Sequence, residues 1–380
     1  MLIQSKLPNV GTTIFTIMSA LAREHQAINL SQGFPDFDCP QALKDSVNFH
    51  MQSGKNQYVP MAGVPILRKN IALKMRTLYG HPIDADTDIT ITAGATQALF
   101  TAITALVHKG DEVILIEPAY DCYRPTIELV GAIPVAYELT APSFRIDWDK
   151  FAGLLSERTK MIIINTPHNP VGKVLSADDM LALQKLTKGT DIVVLSDEVY
   201  EHLIYDGKEH QTVLRYPELF KRSLLVYSFG KTYHNTGWKI GYCIAPEYLM
   251  KEFRKVHQFN VFSANSFVQY GIADFMEDSS FYLRLPTFYQ AKRDFFVKAM
   301  QGSRLRPLGC EGTYFQLYDY SGISNVPDTA FAKILTKEHG VAAIPVSVFY
   351  ASGRDDKVIR LCFAKTEEVL SLAGQRLRKL

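Results

Sequence analysis

Asn169, Asp197 and Lys231 each stand at or just beyond the end of a different short apolar run, and Tyr120 follows a fourth run in the same way. A lysine amine can attack a carbonyl carbon and hold it covalently, a buried carboxylate can hold a protonated nitrogen, and an amide or phenol can donate to an anionic oxygen. Each residue also has a plainer account. Lys231 could be a solvated loop lysine beside Gly230, Asp197 a helix cap in Ser-Asp-Glu-Val, Asn169 a turn residue before Pro170, and Tyr120 a core aromatic. Metal chemistry has no sequence support: ten histidines and five cysteines form no HExxH, no CxxC pair and no Cys/His cluster at ligand spacing.

What sets the four residues apart is the pattern that positions them. From about 88 to 245, runs rich in Ile and Val alternate with helical stretches: DITIT (88–92), EVILI (112–116), MIIIN (161–165), DIVVL (191–195) and LLVYS (224–228). Continuous apolar runs of this kind predict parallel strands covered on both faces, and such sheets bind ligands beyond the C-terminal ends of their strands. After the first run, Ala93-Gly94-Ala95-Thr96 leads into Leu99, Ile103 and Leu106 at helical spacing, a turn-to-helix start suited to phosphate. Beyond about Phe281 the pattern changes to a charged helix through Lys292, Arg293 and Asp294, with strands near 313–317 and 358–363. The expected organisation is α/β with a mainly parallel central sheet: an N-terminal segment 1–35 joining the smaller domain and the site, a large domain 36–280, and a small α+β domain 281–380.

Length and composition agree. A chain of 380 residues exceeds the roughly 250 to 300 at which single cores stop growing. Hydrophobic residues at 47% and charged residues at 21% exclude disorder and fibrous folds. A net charge of +2 gives no footprint for nucleic acid, and no apolar run reaches membrane-spanning length. The N-terminus reads as no signal peptide, and five scattered cysteines suggest reduced thiols in a cytoplasmic setting.

The segments NTPHNPVGK (165–173), SDEVYEH (196–202), SFGKTYHNTGWKIGY (228–242) and VIRLCFAK (358–365), preceded by SQGFPDFD (31–38), resemble the fold-type I, class I aminotransferases. The wording of QGFPDF and SFGKTYH is similar to the methionine and kynurenine/glutamine (transaminase K type) subgroup. The resemblance implies pyridoxal 5'-phosphate (PLP) held as an aldimine on Lys231, with Asp197 paired to the pyridinium nitrogen and Tyr200 and Asn169 donating to the phenolic oxygen. It implies a phosphate cradle from Ala95, Thr96, Ser228 and Lys239, with Tyr120 stacked on the ring and Tyr58 reaching the phosphate from a neighbouring subunit. Substrate carboxylate would meet Arg360, helped by Asn169 and the Gly33 backbone. A bidentate clamp there fixes the rotation about Cα that the chemistry needs.

Taken alone, Arg360 could be a strand-edge arginine, Tyr200 a structural tyrosine and Tyr58 a core aromatic. Two positions depart from the wider class: Gly230 stands where serine is common, and Lys239 where arginine is common, so that a lysine supplies charge there without arginine's bidentate fork. The expected partners are amino acids, 2-oxo acids and a second copy of the chain in a homodimer with shared sites. Phe15, Tyr58, Tyr120 and Phe262 are expected to line an apolar side-chain pocket favouring methionine and aromatic donors. A PLP β-lyase is the alternative on the same scaffold. A PLP-binding regulator would need a DNA-binding segment, for which the pattern, beginning almost at Met1, leaves no room.

Overall fold

Apolar runs bounded by turn residues become strands when both faces find a cover. The computed structural model describes residues 3–380. Among these, the central sheet has seven strands: β1 (Ile89–Thr92), β2 (Glu112–Glu117), β3 (Ile133–Glu138), β4 (Thr159–Asn165), β5 (Val193–Asp197), β6 (Ser223–Ser228) and β7 (Gly241–Ile244). Their order in space is β1-β7-β6-β5-β4-β2-β3. Pairing is parallel from β6 through to β3, whereas β7 lies antiparallel to both β1 and β6.

Five of these strands are the runs read from the sequence. The other two have physical reasons to escape notice. Strand β3 is the sheet edge, its residues are half-buried or exposed, and it contains Pro134, which only an edge tolerates. Strand β7 is only four residues long and begins on a glycine.

Alternation along each strand feeds two cores. Val113, Leu115 and Ile163 pack with Leu99 and Ile103 of the helix Ala95–Leu106 and Phe253 of the helix Glu247–Asn260. Ile114, Ile162, Ile164 and Val194 pack on the other face with Leu67, Ile71 and Met75 of the helix Pro65–Tyr79 and with Met180 and Leu183 of the helix Ala177–Thr187. Period-two burial with helices on both faces makes this an α/β layer structure.

A second sheet follows the helix Ser280–Ala299. Strands β8 (Phe315–Asp319) and β9 (Val358–Cys362) pair antiparallel at its centre, flanked by Arg306–Pro307 and Ile344–Pro345. Strand β8 starts two residues later than the expected 313 because Thr313 has a left-handed backbone (φ 68°), which ends the extended run. The N-terminal segment ties the two sheets to the site. Ile28–Asn29 pairs in parallel with Val341–Ala342, and the Cys362 N–H donates to the Leu30 carbonyl, leaving 31–34 beside the ends of the central strands.

Candidate active site

The ends of the central strands gather the chemistry. Around a cavity of about 240 Å³ the structure brings together Phe15, Gly33, Ala95, Thr96, Tyr120, Asn169, Asp197, Tyr200, Ser228, Lys231, Lys239 and Arg360. Of the residues expected at the site, Tyr58 and Phe262 are not among them. Tyr58 is 83% exposed and meets the Phe262 ring edge-on at 5.2 Å, so neither contributes to the cavity of its own chain.

At the phosphate-like end, the chain turns through Gly94 (φ 82°) into the helix Ala95–Leu106. No side chain caps this helix, and its first residues, Ala95 and Thr96, line the cavity at the end where the helix carries its positive pole. A Cβ on Gly94 would sit 3.5 Å from Lys239 Nζ, an ordinary contact distance that places this cation against the helix start. Ser228, the last residue of β6, and Thr236 border the same space. Tyr120 is held here too, its hydroxyl 3.3 Å from Thr96 Oγ1.

Asp197 ends β5 and is buried. Tyr123 Oη donates to its Oδ2 at 2.6 Å and the Val199 N–H to its Oδ1 at 3.3 Å. Burial outweighs both bonds and pushes the carboxyl up to about 6. The chain after it forms turns rather than a helix, so Asp197 caps no helix.

Lys231 follows β6 in the short helical turn Phe229–Thr232. Its Nζ donates to Tyr314 Oη at 2.8 Å and to the Gly33 carbonyl at 3.3 Å. Burial pulls the amine down to about 8, which brings a neutral nucleophile within reach of physiological pH. Tyr200 is buried nearby, its ring centroid 5.5 Å from that amine, and burial pushes its phenol up.

Arg360, in the middle of β9, is 1% exposed. It donates from Nη1 to Asn169 Oδ1 at 2.9 Å and from Nη2 to the Ser31 carbonyl at 3.2 Å, with its guanidinium 3.9 Å from the Phe315 ring centroid. Burial lowers it to about 10, so it stays a cation at neutral pH. Among the described residues no carboxylate pairs with it, and its Nε is buried without a partner. A buried cation with an unmet donor, lining a cavity, is suited to an anionic ligand.

Three residues of the site went unassigned in the sequence. Tyr123 lies three positions after Tyr120, a spacing that could have suggested a shared direction. Asn165 sat inside a quoted segment: its Oδ1 accepts from the Asn169 N–H at 2.7 Å and its Nδ2 donates to the Asp197 carbonyl at 2.9 Å, tying two loops together. Tyr314 gave no local signal, because its contact with Lys231 spans 83 positions.

An uncapped helix start beside a lysine, with a buried carboxylate and a second amine lining the same cavity, fits a phosphorylated pyridine aldehyde, and the paired large and small sheets are those of the fold-type I PLP enzymes. Comparison with known proteins places the chain further: it belongs to the family described as aminotransferase class I and II, which it matches over residues 25–377. It is 55% identical to the methionine aminotransferase of Escherichia coli strain K12, across 99% of this chain and 98% of that one. The crystal structure describing a methionine aminotransferase function in Escherichia coli superposes with a TM-score of 0.98 at 55% identity, covering all of both chains. Human kynurenine–oxoglutarate transaminase 1 is 36% identical over 94% of this chain and 93% of its own. The protein is therefore a PLP-dependent aminotransferase, acting on amino acids and 2-oxo acids. No helix among the described residues is long and apolar enough to cross a membrane.

Proposed function

We propose that the enzyme takes methionine, amino acids with aromatic side chains, kynurenine or glutamine as amino donors and passes the nitrogen to a 2-oxo acid in a ping-pong cycle. PLP, when bound, supplies the electron sink that makes the substrate Cα–H acidic. Lys231 would hold the cofactor covalently and, as a free amine, would take up the substrate Cα proton and return it as a general acid. Asp197 would pair with the ring nitrogen and favour its protonated form, while Tyr200 and Asn169 would donate to the phenolic oxygen. Ala95 and Thr96 N–H groups, Ser228 and Lys239 bind the phosphate, and Tyr120 covers the ring. Arg360, steadied by Asn169, clamps the α-carboxylate beside Gly33.

The observation that carries the substrate class is the inventory of cations around the cavity. Lys231, Lys239 and Arg360 each have a role in this scheme, and no further lysine or arginine among the described residues lines it. A second carboxylate on the donor would be buried without a partner, whereas the walls offered by Phe15 and Phe34 suit a thioether or a ring. The names of the relatives point the same way.

The homodimer reading draws support from exposed aromatic residues. Phe49, Tyr58, Phe259 and Phe262 all lie open on one chain, and a second copy covering them would bring Tyr58 to the partner's phosphate site. In the same reading, 36–280 carries the cofactor, 281–380 the carboxylate clamp, and 1–35 bridges them. Five free thiols suit the cytoplasm. The test is kcat/KM for methionine, phenylalanine, kynurenine, glutamine and aspartate with one shared 2-oxo acid. Methionine and the aromatic donors should lead. Aspartate ahead by tenfold would end the apolar-pocket reading and leave the aminotransferase chemistry intact.

A further inference from the structure

The hydrogen bonds of the Lys231 amine define a direction. Tyr314 is fully buried, and its hydroxyl donates to the Gly33 carbonyl at 2.5 Å, which leaves the phenolic oxygen as an acceptor for Lys231 Nζ at 2.8 Å. Gly33 O accepts from the same amine at 3.3 Å. A neutral amine has two N–H bonds and one lone pair. With both N–H bonds committed to Tyr314 and Gly33, the lone pair takes the remaining direction, on the side where Lys231 borders the cavity.

Both acceptors are fixed. The neighbouring carbonyls of Ser31 and Phe34 are held by Arg360 Nη2 at 3.2 Å and Lys365 Nζ at 2.9 Å, which clamps the peptide carrying Gly33 O. The Tyr314 ring packs edge-on against Tyr200 and Phe315, with centroids 5.2 and 4.9 Å away. The titratable and charged groups whose fields reach the amine are Cys362, Lys239, Asp197 and Arg360, beside the two tyrosines.

We infer that Tyr314 is a positioning residue for the proton transfer: with Gly33 O it forms a cradle that holds the released Lys231 amine with its lone pair toward the substrate Cα–H. The inference rests on the proposed role of Lys231. The proton balance is simple. The amine would take the Cα proton on its lone pair, become an ammonium still donating to both acceptors, and return to the neutral form by giving that proton up as a general acid.

The test is Tyr314→Phe, which keeps the ring and removes the hydroxyl. In cofactor-free protein, the pH dependence of Lys231 arylation by a small amine reagent, read by peptide mass spectrometry, gives the midpoint of the amine. An acceptor stabilises an ammonium more than a neutral amine, so the midpoint should fall by about one pH unit. In loaded enzyme, the single-turnover half-reaction with methionine should slow by about tenfold or more while the methionine dissociation constant stays within about twofold. An unmoved midpoint overturns the proposal. So does a moved midpoint with an unchanged half-reaction rate, or a slowed rate matched by an equal loss of methionine binding. Fluorotyrosine at 314, a weaker acceptor of nearly the same shape, should move the midpoint the same way and covers the case in which the phenylalanine variant does not fold. Borohydride labelling of the wild-type enzyme separates the two readings. Label away from Lys231 removes the role of the lysine, whereas label on Lys231 with an unmoved midpoint removes only the role of Tyr314.

Discussion

Replacing Asp197 by asparagine should make the cofactor-free protein more stable and the enzyme nearly inactive. Asp197 is buried at the end of β5, and burial raises its carboxyl from an ordinary 3.8 to about 6. Between those values the folded chain holds a proton that the unfolded chain has released, so the aspartate's contribution to stability falls as pH rises from about 4 to about 6. At about 1.4 kcal/mol per pH unit, the full effect is about 3 kcal/mol. Asparagine fits the same contacts without the charge: its oxygen can accept from the Val199 N–H and its amide can donate to Tyr123 Oη. Urea unfolding of cofactor-free wild type and Asp197→Asn at matched protein concentration should therefore coincide near pH 4 and separate above pH 6, with the variant ahead by about 3 kcal/mol. Turnover of the loaded variant should fall by at least ~10²-fold, because the ring nitrogen loses its anionic partner. A variant no more stable than wild type at pH 8 would refute the account of a carboxylate held at a cost by burial. A near-native turnover would refute its role opposite the ring nitrogen.

Tyr58 should act across the subunit boundary. Mixing Tyr58→Phe with Lys231→Ala subunits should give heterodimers with one site free of both lesions, and subunit exchange without recovery of normal kinetics would count against shared sites. Behind the site, Lys74 and Glu201 form a buried ion pair that also engages Tyr79 Oη at 3.0 Å and Tyr242 Oη at 3.4 Å. Lys74→Met should strand the Glu201 carboxylate and lower stability by about 3–5 kcal/mol, with Glu201→Gln in the same chain recovering part of the loss. Urea midpoints of the two variants check this, and an unchanged midpoint in Lys74→Met would show the pair to be dispensable.

The sequence was most legible where burial is two-sided. Strands β2, β4, β5 and β6 are apolar along most of their length because helices cover both faces, and Tyr120, Asn169, Asp197 and Lys231 stand at their ends or within four residues beyond. The edge strand β3 was hidden because one-sided cover permits Pro134 and half-exposed positions. At the site, residues within a motif could be read and residues that meet across the fold could not. Tyr123 reaches Asp197 over 74 positions and Tyr314 reaches Lys231 over 83, and neither spacing leaves a periodic trace. Tyr58 and Phe262 mark a further limit, since on one chain they are surface aromatics that meet each other edge-on, and no motif around them says what else they touch.

The central claim is that Lys231 is the residue to which the cofactor is attached, and borohydride reduction tests it most directly. Purified protein should be yellow, should lose that colour on reduction, and should yield on proteolysis a single phosphopyridoxyl-labelled peptide spanning Lys231, with no label in Lys231→Ala. Label on any other lysine of the wild-type protein, or none at all, would contradict the account.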